Sequence, residues 1–92
     1  MMLVKLTPQH NPSHSIKYTF GVDSFTAEMD GVTDIFDFSK ISEVNPSQIK
    51  TSLPINPVVE AGRVKGVLRL MLINYIDDSA TEVERFPEYM EV

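Results

Sequence analysis

The chain has 92 residues, a formal net charge of −5 and no cysteine. A chain of this length forms one domain with one modest core, and the lack of cysteine excludes a disulfide framework, a thiolate metal site and a thiol nucleophile. The apolar fraction of 42% and the charged fraction of 23% are typical of a folded, soluble protein. We therefore expect a single soluble domain over residues 1–92.

The charge is distributed unevenly. Residues 77–92 contain six acidic residues and one arginine, so this segment accounts for the whole imbalance, whereas residues 1–22 contain two lysines and no acid. No basic stripe is present, which disfavours nucleic-acid binding through phosphate neutralisation. The amino end lacks the apolar segment of a signal peptide, and the longest apolar run, Val67 to Ile76, is too short to cross a bilayer. We expect neither nucleic acid nor membrane as a partner.

Alternating apolar and polar residues predict a β-meander at the start of the chain. Leu3 to Thr7 is a short candidate strand. The segment PQHNPS that follows should be a connection, because Pro8 and Pro12 interrupt regular elements. A turn at 21–24 separates two further strands, whose apolar positions are Ile16, Tyr18, Phe20, Phe25, Ala27 and Met29.

Asp30-Gly31 predicts a tight hairpin turn, because both central positions of a type I′ turn need positive φ. This turn would pair Met29 with Val32, Ala27 with Asp34, and Phe25 with Phe36. The alternative is a calcium loop, since MDGVTDIFDF carries three carboxylates. An EF-hand loop, however, needs its glycine at position six and a glutamate at position twelve, where this chain has neither. We interpret the segment as a hairpin.

Residues 39–57 should be a connection with little more than one helical turn, which Asn45 and Pro46 would start and which would run through Ile49. A second hairpin follows, with Lys65-Gly66 as its turn. Its predicted pairs are Val64 with Val67, Ala61 with Leu70, and Val59 with Leu72. One face would collect Val59, Ala61, Leu68, Leu70 and Leu72, and the other Val58, Val64, Val67, Met71 and Ile73.

The strand 67–76 is apolar on both faces, so it should be central in a sheet, or its second face should be covered by a partner. After this strand, Ser79-Ala80-Thr81-Glu82 predicts a capping box at the start of a short helix, and Pro87 would end that helix. Two interpretations fit segment 77–92, a solvated and flexible terminal helix or an acidic interaction tail. We favour the first, because charged helix ends are common.

The sequence offers weak candidates for chemistry. His10 and His14 have the i, i+4 spacing of a zinc pair on a helix, but Pro12 lies between them and no third ligand is near, so we expect loop histidines. Asp34 and Asp37 can do acid–base work only if burial separates their pKa values. Five aromatic residues are predicted to lie in the core: Tyr18, Phe20, Phe25, Phe36 and Phe38. A surface that stacks nucleic-acid bases is disfavoured, because basic residues are not interleaved with these aromatic residues. No catalytic or cofactor residue is predicted.

Four segments together resemble small uncharacterised proteins encoded by phages and prophages of Gram-positive bacteria: LVKLT, DSFTAEMDGVTDIFDF, TSLPINPV and RFPEYMEV. The resemblance runs over most of the chain. It implies a protein from the virion-structure or tail region of a phage genome, located in the virion or the host cytoplasm. The resemblance implies no established activity and gives no catalytic residues to assign in this chain.

The predicted fold is mostly β, with about five to seven antiparallel strands in a small sandwich, barrel or sheet and one short C-terminal helix. The predicted function is a non-catalytic phage structural or assembly component that acts through protein partners or self-association. The alternative is an acidic binding protein that occupies a basic groove of a host protein, as a nucleic-acid mimic would. A metal-dependent enzyme, based on the aspartates and histidines, is the weakest hypothesis. The candidate partner-binding residues are Val67, Arg69, Met71, Ile73 and Tyr75.

Overall fold

The computed structural model describes residues 2–40, 45 and 49–92. In this part of the chain it has seven strands and one short helix, which confirms the mostly-β, sandwich-like fold. In chain order these elements are β1 (Met2–His10), β2 (Ile16–Phe20), β3 (Ser24–Met29), β4 (Val32–Asp37), β5 (Val58–Val64), β6 (Val67–Ile76), α1 (Glu82–Arg85) and β7 (Met90–Glu91).

The strands form two sheets, one with the order β5-β6-β1-β7 and one with the order β2-β3-β4. The second sheet is the predicted meander, and its strands pair in the antiparallel sense. In the first sheet, β1 and β6 run parallel, which differs from the antiparallel pairing that we expected. A parallel pair needs a long crossover connection, and here the whole second sheet lies between the two strands in the chain.

The core lies between the two sheets, where each sheet buries one apolar face. Alternate residues of β1 and β6 are fully buried, and the aromatic residues of the second sheet pack against them. The rings of Phe25 and Phe36 stack with their centroids 4.6 Å apart, so the predicted aromatic core is confirmed. The buried apolar residues are Met2, Val4, Ile16, Phe25, Ala27, Met29, Phe36, Phe38, Leu53, Val58, Leu68, Leu70 and Leu72.

The prediction that Pro8 interrupts the first strand is wrong, because β1 continues through His10 and Pro8 pairs with Asn74. Proline cannot donate to a ladder, so strands tolerate it where the missing N–H would face no partner strand. This holds for Pro8, because β7 pairs with β1 only at Leu3 and Val4. The same extension places His10 at the end of a strand, and not in a loop as predicted.

The predicted turn at Lys65-Gly66 is confirmed, with φ values of 52° and 80°. The pairs Val64–Val67 and Ala61–Leu70 also form, but the predicted pair Val59–Leu72 is wrong. An irregularity between Val58 and Glu60 shifts the register, so that Val58 lies opposite Leu72. A bulge inserts one extra residue and exchanges the two faces of the strand beyond it. Val58 is consequently buried, and Val59 is 43% exposed.

The predicted C-terminal helix is present as α1, but its capping box is shifted by two residues. The hydroxyl of Thr81 accepts from the amide of Glu84, and the carboxylate of Glu84 accepts from the amide of Thr81. Ser79, which we expected as the cap, donates to the carboxylate of Asp77 instead. The helix ends before Pro87, as predicted, because a residue that precedes proline disfavours the helical region.

The chain then returns to the first sheet, and β7 pairs antiparallel with the start of β1. This strand was not predicted, since segment 77–92 was interpreted as a solvated helix. Residues 39–40, 45 and 49–57 form no helix or strand. The helical turn predicted to start at Asn45-Pro46 and to run through Ile49 falls mainly on residues 46–48, which lie outside the described residues.

The hairpin at Asp30-Gly31 forms as predicted, with Met29 opposite Val32 and with φ values of 52° and 79° in the turn. We expect Gly31→Val to lower the free energy of unfolding by about 1–2 kcal/mol, because a β-branched residue resists positive φ. Urea unfolding measures the change. Asp30→Asn is the control and should be nearly neutral, since Asn also tolerates the left-handed region. Equal stability of Gly31→Val and the parent would contradict this role of the turn.

Candidate protein-binding surface

The first sheet has an outer face, which points away from the core. On β6 the even-numbered residues Leu68 and Leu70 are fully buried, so the alternation of side chains along a strand places the odd-numbered residues on the other side. Four of the predicted partner-binding residues share this outer face: Val67, Arg69, Met71 and Ile73. β1 extends the face, with Lys5 opposite Met71.

Tyr75, the fifth predicted residue, belongs to a different environment. Its side chain is partly buried and packs against the core cluster. Its ring centroid lies 5.9 Å from that of His14. The structure therefore brings together four of the five predicted residues, and we leave Tyr75 out of the outer face.

Tyr89, which was not predicted as a site residue, joins the outer face from the C-terminal segment. The residue precedes β7, and its ring lies 5.9 Å from Nζ of Lys5 and 5.9 Å from Cζ of Arg69. Cations at this distance from an aromatic ring are attracted to its π-face. Tyr89 therefore holds two positive side chains side by side on this face of the sheet.

A cleft lies between the C-terminal segment and the end of the sheet, and we call it the C-terminal cleft. Its volume is about 340 Å³. Val83 and Phe86 are 74% and 75% exposed, and Glu84 and Glu88 also line the cleft. The apolar residues of the cleft are Leu6, Val83, Phe86, Pro87, Tyr89 and Met90.

The helix α1, which contributes Val83 and Glu84 to the cleft, buries none of its residues. A short helix with no buried residue leaves its apolar side chains in water, which is costly and marks a contact site when several lie together. Tyr89 lines the cleft and also contacts the cations of the outer face. The outer face and the C-terminal cleft thus meet at one residue and form a continuous candidate surface.

The two histidines each pair with a carboxylate. Nε2 of His10 lies 3.0 Å from Oδ1 of Asp78, and Nδ1 of His14 lies 3.4 Å from Oδ2 of Asp30. The histidines therefore do not share one ligand site. Within residues 2–40, 45 and 49–92, no group of three or more His, Asp or Glu side chains could hold a metal ion.

Asp34 ties the connection before β5 to the second sheet. One of its carboxylate oxygens accepts from the hydroxyl of Thr51 at 2.8 Å and from the amide of Ser52 at 3.0 Å. The hydrogen bond from the Ser52 amide, followed by that from Thr51, holds the pKa of Asp34 below its usual value. Asp37 instead accepts from the amide of Ser39, and this hydrogen bond holds its pKa below the usual value as well, so burial does not push the pKa values of the two carboxyls apart.

Asp34→Ala should lower the urea midpoint at neutral pH, because the amide of Ser52 and the hydroxyl of Thr51 lose their acceptor. A lowered pKa in the folded state stabilises the protein above the unfolded-state pKa of about 4. This contribution is lost as the pH falls through the folded-state pKa. The midpoints of parent and variant should therefore converge in acid. A constant difference at every pH would contradict an ionic role for this carboxylate.

The side chains of Tyr18 and Arg63 make polar contacts between the two sheets. The Tyr18 hydroxyl donates to the Ile73 carbonyl, and burial raises the pKa of Tyr18 well above its usual range. Arg63 of the first sheet reaches the second at two points. Its guanidinium donates to the Asp23 carboxylate at 3.0 Å and to the Phe38 carbonyl at 2.6 Å.

No protein-family model, curated protein or solved structure matches this chain. In the described part of the chain, no helix has the length and apolar character needed to cross a membrane.

Proposed function

We propose that the protein is a non-catalytic component of a phage or prophage particle, or of its assembly, and that it acts through contacts with other protein chains. The observation that carries the proposal is the C-terminal cleft, where Val83 and Phe86 are about three-quarters exposed. The sequence resemblance to phage and prophage proteins supports the phage context.

The chemistry of the surface fits a protein partner. Protein interfaces are enriched in aromatic residues, methionine and arginine. Here Tyr89 lies beside Arg69, and Phe86 lines a groove together with Met71. The apolar cleft supplies a place for an anchoring side chain, which is the usual centre of a protein interface. The adjacent charges of Lys5 and Arg69 would then set the orientation of the partner.

A second candidate function is an acidic binding protein that occupies a basic groove of a host protein. The observation that favours it is the exposure of four acidic residues along α1 and the segment that follows: Glu82, Glu84, Glu88 and Glu91. Binding of this kind depends on exposed charges, so it weakens as salt screens them. Binding through the apolar cleft should resist salt.

The test is co-purification of the tagged protein with virion proteins from a phage lysate. We expect the parent to retain them at high salt and Phe86→Ser to lose them. Ile35→Ser is the matched control, because Ile35 is also an exposed apolar residue, at 71%, but lies on the second sheet. It should behave as the parent does.

The outcomes separate the two functions. Capture that disappears at high salt, and that Phe86→Ser leaves intact, would favour the acidic binding protein. Capture of no virion protein by the parent at any salt concentration would contradict the assembly component.

A further inference from the structure

We propose that the C-terminal cleft receives the tip of the β5–β6 hairpin from a second copy of this chain, so that copies associate head to tail. The hairpin tip is Val64, Lys65 and Gly66. This inference rests on the proposed function, because it names the partner of the same cleft.

The hairpin tip presents an apolar side chain beside a positive charge. Val64 is 48% exposed, and Lys65 is exposed at the turn. Arg63, the preceding cation, donates to Asp23 and Phe38 within its own chain, so Lys65 is the cation that projects from the tip. A tight turn of this kind is already ordered, so little conformational entropy is lost on docking.

The C-terminal cleft has the complementary chemistry. Its apolar lining suits the side chain of Val64 and the aliphatic stem of Lys65, which can lie along an apolar surface while its ammonium group stays at the rim. Glu84 and Glu88 are among the residues that line the cleft, and Glu88, whose side chain is exposed, supplies the opposite charge. Opposite charges that meet at a docking site favour the correct partner and penalise others.

The positions of the hairpin tip and the cleft require two different copies. The tip adjoins Val67 at the start of β6, whereas the cleft is lined by Asn74, which is near the other end of the same strand. At about 3.3 Å per residue, Val67 and Asn74 are roughly 23 Å apart along the strand. A tip that the hairpin holds at one end of β6 cannot enter a cleft at the other end in the same chain.

The contact is therefore heterologous, since two different patches meet. Contacts of this kind form rings when the rotation closes and filaments when it does not. Either result suits an assembly component, and neither leaves the molecule as an isolated symmetric dimer.

Charge reversal tests the proposal. We expect the parent to form oligomers at high micromolar concentration in gel filtration with light scattering. Lys65→Glu and Glu88→Lys should each weaken association by about tenfold or more, and the double variant should restore it. Lys50→Glu is the control for net charge, because Lys50 is exposed and lies in neither patch.

Cross-linking gives a second measurement, because the chain has no cysteine of its own. A chain that carries both Lys65→Cys and Glu88→Cys should form a ladder of disulfide-linked oligomers under oxidation. A chain that carries one of these changes should give no product larger than a dimer.

Several results would overturn the proposal. The first is a parent that remains monomeric, and the second is a double reversal that does not restore association. The third is association that Lys65→Glu leaves unchanged and Met71→Lys abolishes, which would assign it to the outer face. A monomeric parent that still captures virion proteins through Phe86 would refute this inference and leave the proposed function standing.

Discussion

Leu70→Ala should lower the free energy of unfolding by about 2–5 kcal/mol, as large-to-small changes in a buried strand do. Leu70 is fully buried and lies at the middle of β6, with Ala61 opposite it in β5 and Val4 opposite it in β1. Neighbours on both sides hold the backbone in place, so the strand cannot collapse into the space that the truncation leaves. Since domains are stable by about 5–15 kcal/mol, the loss is a large share of the total.

Urea unfolding followed by circular dichroism measures this change. Val59→Ala is a suitable control, because Val59 lies in the adjacent strand and is 43% exposed after the bulge. It should alter stability by well under half as much as Leu70→Ala. A Leu70→Ala variant that melts within about one degree of the parent would contradict the central position of β6.

The second sheet could be predicted from sequence because all its pairings are local. The turn at Asp30-Gly31 requires positive φ at two positions, and that requirement alone sets the register of β3 and β4. The turn at Lys65-Gly66 sets the first pairs of the β5–β6 hairpin in the same way. In each case a short sequence motif determines which residues face each other.

The first sheet could not be fully predicted, because its remaining pairings join distant parts of the chain. No turn connects β1 to β6, so no motif marks their parallel register. The bulge after Val58 carries neither glycine nor proline, the usual signals of an irregular strand. β7 has two residues, which are too few to show an alternating pattern.

The residues of the candidate surface also divide into those that a local pattern predicts and those that depend on distant contacts. Arg69 and Met71 were predicted from the two-sided apolar character of β6, a property that is visible within one strand. Tyr89 and Phe86 were missed, because their importance depends on the return of the C-terminal segment to β1. An aromatic residue beside a proline in an acidic segment gives no sequence signal for a cleft.

Arg63 is a further residue whose role appears only in the folded structure. Arg63 lies on β5, opposite Leu68 of β6. It is therefore on the side of the sheet that faces the core, where an unpaired charge would be costly. Its side chain is 17% exposed and that of Asp23 is 20% exposed. The pair is therefore shielded from water more than an ordinary surface ion pair, and it connects the two sheets.

Arg63→Ala should lower the free energy of unfolding by about 1.5–3 kcal/mol, the range for hydrogen bonds to charged groups. The change leaves the Asp23 carboxylate and the Phe38 carbonyl without the guanidinium that now satisfies them. Arg63→Lys should lose less, because it keeps the charge but cannot form the planar fork. Urea unfolding of each variant measures these losses.

A double-mutant cycle with Asp23→Asn shows whether the pair acts as a unit. Asp23 has a φ of 49°, and Asn tolerates this backbone conformation, so the change removes the charge without adding backbone strain. Once the carboxylate is neutral, Arg63→Ala no longer leaves a shielded charge unpaired. We therefore expect the double variant to lose less stability than the two single losses combined, by about 0.5–3 kcal/mol. Strictly additive losses would mean that Arg63 stabilises the sandwich through the Phe38 carbonyl and its own packing, and that the ion pair with Asp23 contributes nothing.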